Sequence, residues 1–515
     1  MSYFKIGTVF PPVEHRKRIE KYRRNKEIFL GNHYDILAKV QGQREQNLLY
    51  ISMNLAGLIC KKSADFLFGE QVRVLSGVGI NSKKNQEALD NLIDNNSLGI
   101  INYESALSNA YMGDSFYKVR WGQEYGGVLP ADLDPYRPII EQQNAEYVFP
   151  EVSPYDAKKI VAYHIATPVA PATKKGKWTL NVETHIAGQI MYHNYVISPN
   201  TTDKFGKPID FRIEGTLGES SIVATGMPKP LVIHVPNFAT GDSWEGVDDL
   251  SELIPLFDEL NNRLTQIASI LDKHSDPALV VPAGTMGEDE FGNPVFNIAH
   301  NKVFEIDGQD DAYPKYITWN GQIYEAFQEM EKIIEMIFAI SEIPSVVLGM
   351  GDAGTSGSSG LAIKFMMNSL LAKVNRKRQY YDKAIKEVLN LAQLLEVTLG
   401  DKKYKIGTPV LMFQDGLPQD YMETANIMAT RTNGSQTMSV KTALMTFEGL
   451  TEDQADAELK RIKEEKEANT PPALLDVSNG DPQVGEDPVD PAEDSPEDSV
   501  DDPKEDKEPA KEQDK

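Results

Sequence analysis

The sequence predicts an α+β protein, mainly helical, in which a β-rich body joins a set of long helices. Three observations lead there. A Gly/Ser-rich loop, Gly349 to Gly360, separates a helical pattern at Gln322–Glu342 from a longer one at Leu361–Leu399 that contains no proline or glycine. At 1.5 Å per residue the longer pattern would extend roughly 58 Å. Short apolar runs with strand character concentrate between 115 and 235. A smaller β-rich stretch lies between two helical patterns of similar length, near 276–319.

Taken in order, helical spacing covers Glu14–Leu30, then Glu45–Phe68 with Leu48, Leu49, Met53, Leu55, Ile59 and Leu67 on its apolar face. Asn85–Asp94 and Tyr103–Tyr111 follow. Strands are predicted at Ser115–Trp121, Lys159–Ile165, Thr179–Glu183, Ile190–Ile197 and Leu231–Val235. A helix then runs from about Pro255 to Ser275, with Leu256, Phe257, Leu260, Leu264, Ile267 and Leu271 at three-and-four spacing. Pro255 either opens this helix in its first turn or kinks one begun near Asp248. Asp276 to Trp319 carries Ala278–Pro282, a turn at Phe291–Pro294, and Lys302–Ile306. After the long helix come Thr408–Phe413, helices near Tyr421–Ala429 and Val440–Phe447, and a charged helix at Thr451–Lys466.

The glycine loop contains a literal GxGxxG, Gly349-Met350-Gly351-Asp352-Ala353-Gly354. A dinucleotide-binding turn would need a strand before it and a short helix with a second strand after it. Here the following helix is too long for such a crossover, and Gly357 and Gly360 separate it from the motif. A GxxxxGK[ST] phosphate loop is absent, since Leu361 follows Gly360. A nucleotide-binding enzyme using Gly349 to Gly354 is the alternative reading; a flexible loop is the plainer one.

Composition bounds the chemistry. The chain has 515 residues, 41% of them hydrophobic, enough for one or more cores. No apolar run approaches the roughly 20 residues that span a bilayer, and the first residues have no signal-peptide apolar stretch. Cys60 is the single cysteine, so no intrachain disulfide forms; within Leu55–Cys60 it reads as a small buried hydrophobe. The eight histidines form no HxxxH or HxxE pair, and no nucleophile elbow is evident. We expect no catalytic residues, no metal and no cofactor. The net charge is −25; residues 469–515 hold sixteen acidic and four basic residues, eight prolines and no aromatic, a composition of disorder. The basic run Arg16, Lys17, Arg18, Lys21, Arg23, Arg24, Lys26 is either a nucleic-acid surface or, more simply, a solvated helix face.

The order of these parts resembles one family. Phe66-Leu67-Phe68-Gly69-Glu70, Gly246-Val247-Asp248-Asp249-Leu250, Glu342-Ile343-Pro344, Gly357–Lys364, Gly416-Leu417-Pro418 and Glu452–Ile462 together resemble the portal proteins of tailed bacteriophages, especially long-tailed phages of Gram-positive hosts. The resemblance implies a ring, usually of twelve subunits, at one capsid vertex, through which a separate terminase pumps double-stranded DNA. It implies a wing at 1–240, stem helices at 241–275 and 320–343 flanking a clip at 276–319, a tunnel loop and long wing helix at 344–404, a crown at 405–468, and a disordered acidic tail at 469–515. The tunnel loop would comprise Gly351, Asp352, Gly354, Thr355, Ser356, Gly357, Ser358, Ser359 and Gly360, with Lys364 nearby. Implied partners are the terminase large subunit, major capsid protein and scaffold, a head–tail adaptor and non-specific DNA, with no membrane. The protein would belong to the virion, after assembly in the host cytoplasm. The acids Asp248, Asp249, Glu252, Asp258, Glu259, Asp272, Asp276, Glu325, Glu329, Glu331, Glu335 and Glu342 would line a repulsive channel wall, or simply form solvated helix faces.

Overall fold

Helix α1 (Val13–Leu30) ties together two cores. Ile19, near its middle, joins the core of a large sheet, while Tyr22 and Ile28 enter a mainly helical core. Gly31 ends α1 in the left-handed region, φ 86°, and its N–H closes back on Ile28. The computed structural model describes residues 3–37, 50–77, 83–173, 176–203, 206–274, 279–282, 287–288, 291, 294–295, 303–306, 315–316, 323–348, 364–400, 402–414, 416, 421–433, 436–448, 450 and 452–469. They belong to two units, Met1–Gln419 and Asp420–Lys515.

The large sheet is antiparallel and seven-stranded. Its order is β1 (Val9–Phe10), β9 (Pro208–Thr216), β8 (Gln189–Thr202), β7 (Trp178–Ile186), β6 (Asp156–Val169), β5 (Val148–Ser153), with β10 (Ser221–Ala224) also on β8. Alternation decides which face is buried: Leu180 and Val182 on β7, Tyr195 and Ile197 on β8, Phe211 and Ile213 on β9 all point into one core with Phe4, Phe10 and Phe149. The predicted strands in this region exist but are longer than the apolar runs. Strands β1, β5, β9 and β10 were not foreseen.

The second core surrounds α7 (Asn368–Leu399). Around it stand α2 (Leu55–Phe68), α3 (Lys83–Asn95), α4 (Leu98–Met112) and a three-stranded sheet ordered β11 (Val232–Pro236), β3 (Asp114–Gly122), β4 (Arg137–Gln143). Leu370, Val374, Tyr381, Ile385, Val388, Ala392 and Leu395 are buried on α7, so this helix is a core element over most of its length. It is about 48 Å long; a helical turn at 364–366 precedes it and is interrupted at Met367, and residues 361–363 lie outside the described residues. The helix expected from Glu45 also contracts. Its described part starts at Leu55, where Asn54 caps it by accepting the Gly57 N–H at 2.9 Å. Residues 50–54 instead run along a neighbouring helix.

That neighbour is α5 (Ile254–His274), which begins with Pro255 in its first turn, so the kinked alternative from Asp248 does not occur. It packs on α6 (Ile323–Ser341), burying Leu260, Ile267, Met330, Ile333 and Ile337. Arg263 joins the pair, 2.9 Å from Glu259 and 3.1 Å from Glu329. Between them, β12 (Leu279–Pro282) pairs in parallel with β15 (Val303–Ile306) and antiparallel with β16 (Lys315–Tyr316), while β13 (Gly287–Glu288) and β14 (Pro294–Val295) form a hairpin. The small β-rich insertion between two helices is therefore present. Late in this unit β17 (Val410–Met412) pairs with β2 (Arg73–Leu75).

The second unit holds α8 (Tyr421–Thr432), α9 (Val440–Phe447) and α10 (Glu452–Asn469). Ser439 caps α9, and Lys441 reaches Glu452 at 2.9 Å and Asp456 at 2.8 Å on α10. Residues 470–515 lie outside the described residues. No described helix is long and apolar enough to cross a membrane.

Candidate functional site

A buried junction where three segments meet α7 is built from residues on both sides of the glycine loop in the sequence. From Gly349 to Ile363, including Gly351, Asp352, Gly354, Thr355, Ser356, Gly357, Ser358, Ser359 and Gly360, the loop itself lies outside the described residues. Both of its ends are described. Before it, Ser345–Leu348 forms a 3-10 turn, not the strand that a dinucleotide fingerprint requires. After it, Lys364 is exposed at the start of the helical turn leading to α7.

Asp249 is the centre of the junction. Its amide donates to Ala110 O at 2.8 Å, which drives the side chain inward. The carboxylate accepts from Lys377 Nζ at 2.6 Å and Asn237 Nδ2 at 3.0 Å, and Lys373 Nζ lies 3.3 Å away. Lys373 also donates to Ser341 O at 3.0 Å, satisfying a carbonyl at the end of α6. Lys377 donates to Ser63 Oγ on α2 at 2.7 Å. One carboxylate thus binds the segment before α5, the end of α6, helix α2 and α7. Burial alone would raise its pKa, but the two ammonium groups and the hydrogen bonds win and hold it far below the ordinary carboxylate range. Burial pushes the Lys377 ammonium down, and Asp249 opposes that. Cys60 is fully buried nearby, its thiol pushed up by burial.

A glycine contact sets the depth of this segment. Gly113, at φ 94° after α4, and Gly246 stack backbone to backbone; a Cβ on Gly246 would lie 1.9 Å from Gly113 O. The Gly246 N–H donates to Asp114 Oδ1 at 2.8 Å, which also accepts from His234 Nε2 at 2.7 Å, while the buried Tyr22 hydroxyl donates to Asp114 Oδ2. Asp248 folds back to accept the Leu250 and Ser251 amides at 3.0 and 2.6 Å, and Lys21 stands 3.6 Å away.

Before the loop, just after α6, Glu342 adopts φ 60°, inside the left-handed region, and Arg376 donates to its carboxylate at 2.7 Å. Ile343 is buried behind it. Further along α7, Tyr381 takes hydrogen bonds with Ser105 at 3.1 Å and Asn109 at 3.2 Å, and Phe68 meets its ring edge-on at 5.0 Å. Arg378 reaches the carbonyls of Phe66 and Gln414.

Segments scattered along the sequence therefore converge on one helix. Phe66–Glu70, Gly246–Leu250 and Glu342–Pro344 each supply a contact to α7, and Gly416 packs beside Phe66. Two expectations are corrected. Asp248 and Asp249 are buried and spent on backbone amides and lysines, so these two form neither a channel wall nor a solvated face; Glu342, Glu259, Glu329 and Glu335 carry ion pairs, and Glu252, Glu325 and Glu331 are exposed, which fits both readings of the remaining acids. Asp276 lies outside the described residues. The basic run on α1 is a solvated helix face only in part: Lys17, Arg24 and Lys26 are exposed, whereas Arg16 pairs with Asp210, Arg23 with Glu146 and Lys21 with Asp248, and Arg18 is buried and donates to Ala145 O and Val148 O. Asp114, Asn237, Lys373 and Lys377 were not singled out by sequence. The lysines had a signal, two charges four residues apart on the apolar face of Leu370, Val374 and Tyr381.

The charged groups at this junction tie distant chain segments to one long helix. Among protein families, the model described as "Phage portal protein, SPP1 Gp6-like" matches residues 13–472. The chain belongs to this phage portal family, a structural and non-enzymatic family of the phage capsid. No curated protein matches it. The nucleotide-enzyme reading of Gly349–Gly354 has no support from the family or from the 3-10 turn that precedes it.

Proposed function

We propose that this chain forms a closed ring, of twelve subunits, at one vertex of the capsid of a long-tailed phage of Gram-positive bacteria. The ring nucleates assembly with the major capsid protein and scaffold in the host cytoplasm. It is the channel for packaging and ejection of double-stranded DNA, docking the terminase large subunit first and the head–tail adaptor later. The supporting observation is the family match across 13–472, together with the convergence of the family-like segments on α7.

In this reading 1–240 is the wing, α5 and α6 are the stem, 276–319 is the clip, 344–404 carries the tunnel loop and long helix, 405–468 is the crown and 469–515 an acidic tail. Gly351 to Gly360 constricts the channel, with Lys364 one turn into the next helix. The glycines allow backbone states that other residues resist, so the loop follows a DNA helix whose symmetry differs from the ring's.

Mass photometry of the purified chain is the first test: closed rings are expected, and monomers or dimers at assembly concentrations would overturn the reading. Cysteines at Ser356 and Ser359, oxidised to link neighbouring loops, should stall DNA packaging while procapsids still form. Packaging at the normal rate through linked loops would remove them from the constriction.

A further inference from the structure

In a chain of net charge −25, a concentration of unpaired lysines needs a reason. Helix α7 ends at Leu399, and the next residue, Gly400, lies against β3: a Cβ there would sit 2.8 Å from the Trp121 ring. The chain then turns and presents Lys402, Lys403 and Lys405, all exposed, around an open cleft of about 550 Å3 whose other walls are Val397 and Tyr404. The turn is held at two points. The Tyr404 hydroxyl donates to Glu396 at 2.7 Å, and the Lys405 amide donates to Asn85 Oδ1 at 3.3 Å. Asn85 is buried in the first turn of α3, so the exposed Lys84 next to it stands beside the same surface.

The carboxylate on this turn, Glu396, is committed to Tyr404. Among the described residues no acid pairs with the side chains of Lys402, Lys403 or Lys405; Asp401 lies outside them. Like charges gathered without partners repel one another, and a cleft concentrates their field on whatever enters it. Lysines are mobile point charges on flexible stems, suited to phosphates met in no fixed register. The cleft is open, and among its described lining residues only Val397 and Tyr404 are apolar. A sequence-independent polyanion fits these walls.

We infer that Lys402, Lys403 and Lys405, with Lys84 beside them, form a contact for the phosphate backbone of double-stranded DNA, separate from the Gly351–Gly360 loop. This rests on the proposed function, which brings DNA to this protein. Such contacts release counterions, so each phosphate engaged adds about 0.9 to the slope of log affinity against log salt.

The test titrates the full-length chain, assembled as it assembles, with a short labelled duplex over a salt series. Replacing Lys402→Gln, Lys403→Gln and Lys405→Gln together should flatten that slope by roughly 2 to 3 units, whereas Lys332→Gln on α6 should not change it. Thermal melting and mass photometry check folding and assembly; if the triple variant is impaired, Lys403→Gln alone should still remove about one unit. Rings that form normally with an unchanged slope overturn this inference and leave the portal reading intact. A chain that forms no rings overturns the portal reading whatever the titration gives. Polyglutamate that binds with the same lysine dependence while the duplex does not would assign the surface to an acidic protein partner and overturn the inference.

Discussion

The two cores of the first unit are held by different physics. Beneath the seven-stranded sheet, Phe4, Phe10, Phe149, Leu180, Phe211 and Ile213 pack without a charge among them, and Phe4 meets both Phe10 and Phe149 edge-on at 5.7 and 5.5 Å. The polar groups at its edge are histidines kept neutral and the buried Arg18, whose guanidinium lies 5.9 Å over the Phe149 ring and is held by the Ala145 and Val148 carbonyls rather than by a buried carboxylate. Around α7 the core is equally apolar over most of its surface, but one carboxylate and two ammonium groups are buried inside it. Apolar packing is non-directional and rewards any arrangement that excludes water. A buried ion pair gains little net stability over a good apolar core, yet it penalises every arrangement that leaves a charge unpaired. The sheet core therefore holds a shape, whereas the α7 junction enforces one register among segments that are distant in sequence. The segments the junction fixes include the end of α6 and α7, the two helices that flank residues 349–363 in the sequence.

The largest expected effect comes from breaking the register. Asp249→Ala leaves Lys373 and Lys377 buried without a counter-charge. We expect a loss of about 3–5 kcal/mol in denaturant unfolding, with the fluorescence transition losing cooperativity. A cost below about 1 kcal/mol would mean that the pair behaves like a surface contact and that the contrast between the cores is false.

A smaller effect should follow from Gly246→Ala. The added methyl would meet Gly113 O at 1.9 Å, backbone against backbone, and neither side can swing away. The segment must shift outward, at about 1–3 kcal/mol, carrying Asp249 away from Lys377. The pairing predicts that the Gly246→Ala and Asp249→Ala losses are not additive; full additivity would show the glycine contact and the ion pair to be independent.

The same contrast explains what could be read in the sequence. Helices α5, α6 and α9 were legible because their apolar residues repeat at three-and-four spacing, and strands β3, β7 and β8 because branched and aromatic residues mark their cores. Strand β4, Arg137-Pro138-Ile139-Ile140-Glu141-Gln142-Gln143, was not, since Pro138 and its polar second half hide a strand that β3 stabilises by pairing. The helix expected from Glu45 failed at Asn54, because apolar residues at 50–53 follow helical spacing while serving a neighbour: Ile51 N–H donates to Thr265 at 3.1 Å and Met53 N–H to Asn261 at 2.9 Å. The junction was half legible. Gly246–Leu250 and Glu342–Pro344 were singled out as segments, but Asp249 was assigned to a solvent-facing wall. Charge is visible in a sequence and its burial is not; Lys373 and Lys377, far along the chain, decide it. Helical period says which side of α7 is apolar and cannot say that an acid 124 residues upstream of Lys373 will meet it there.

Acid separates the two cores next. His15 is neutral in the folded chain, lowered to about 4 from 6.5 by burial, by the Arg18 guanidinium and by His164. Arg18 can only donate, so Nδ1 of His15 is the acceptor at 3.4 Å and Nε2–H donates to the Tyr3 hydroxyl at 2.9 Å. Protonating Nδ1 would turn it against the guanidinium. His164 and His185 are lowered as well, by burial first. The unfolded chain thus takes up protons before the folded one, and sheet stability falls as pH drops from 6.5 towards 4. Asp249 works in a different window: its folded pKa is depressed, so its contribution is present above 3.8 and is lost only as pH falls through the folded value. Hydrogen exchange followed by mass spectrometry and corrected for intrinsic rates should show β6–β8 loosening between pH 6.5 and 4.5 while α7 near Lys373 stays protected. His15→Gln should flatten part of the sheet's response. Equal loosening in both regions would erase the distinction.

The smallest effect is the control that gives the largest its meaning. Lys332 and Glu335 form an ion pair at 2.6 Å on α6, as short as Asp249 to Lys377, but both side chains stand in solvent, 73% and 63% exposed. Water already satisfies each charge, and holding two long side chains in one geometry costs rotamer freedom. Distance alone would rank the two pairs equal; burial ranks them apart. Lys332→Gln should leave the unfolding midpoint within error of the parent chain at low and at high salt. A shift approaching that of Asp249→Ala would mean that this helix face is covered when the chain assembles. Dilution below the assembly concentration would then reveal it, because a midpoint that returns to the parent value in the monomer places the cost in the interface between subunits rather than in the fold.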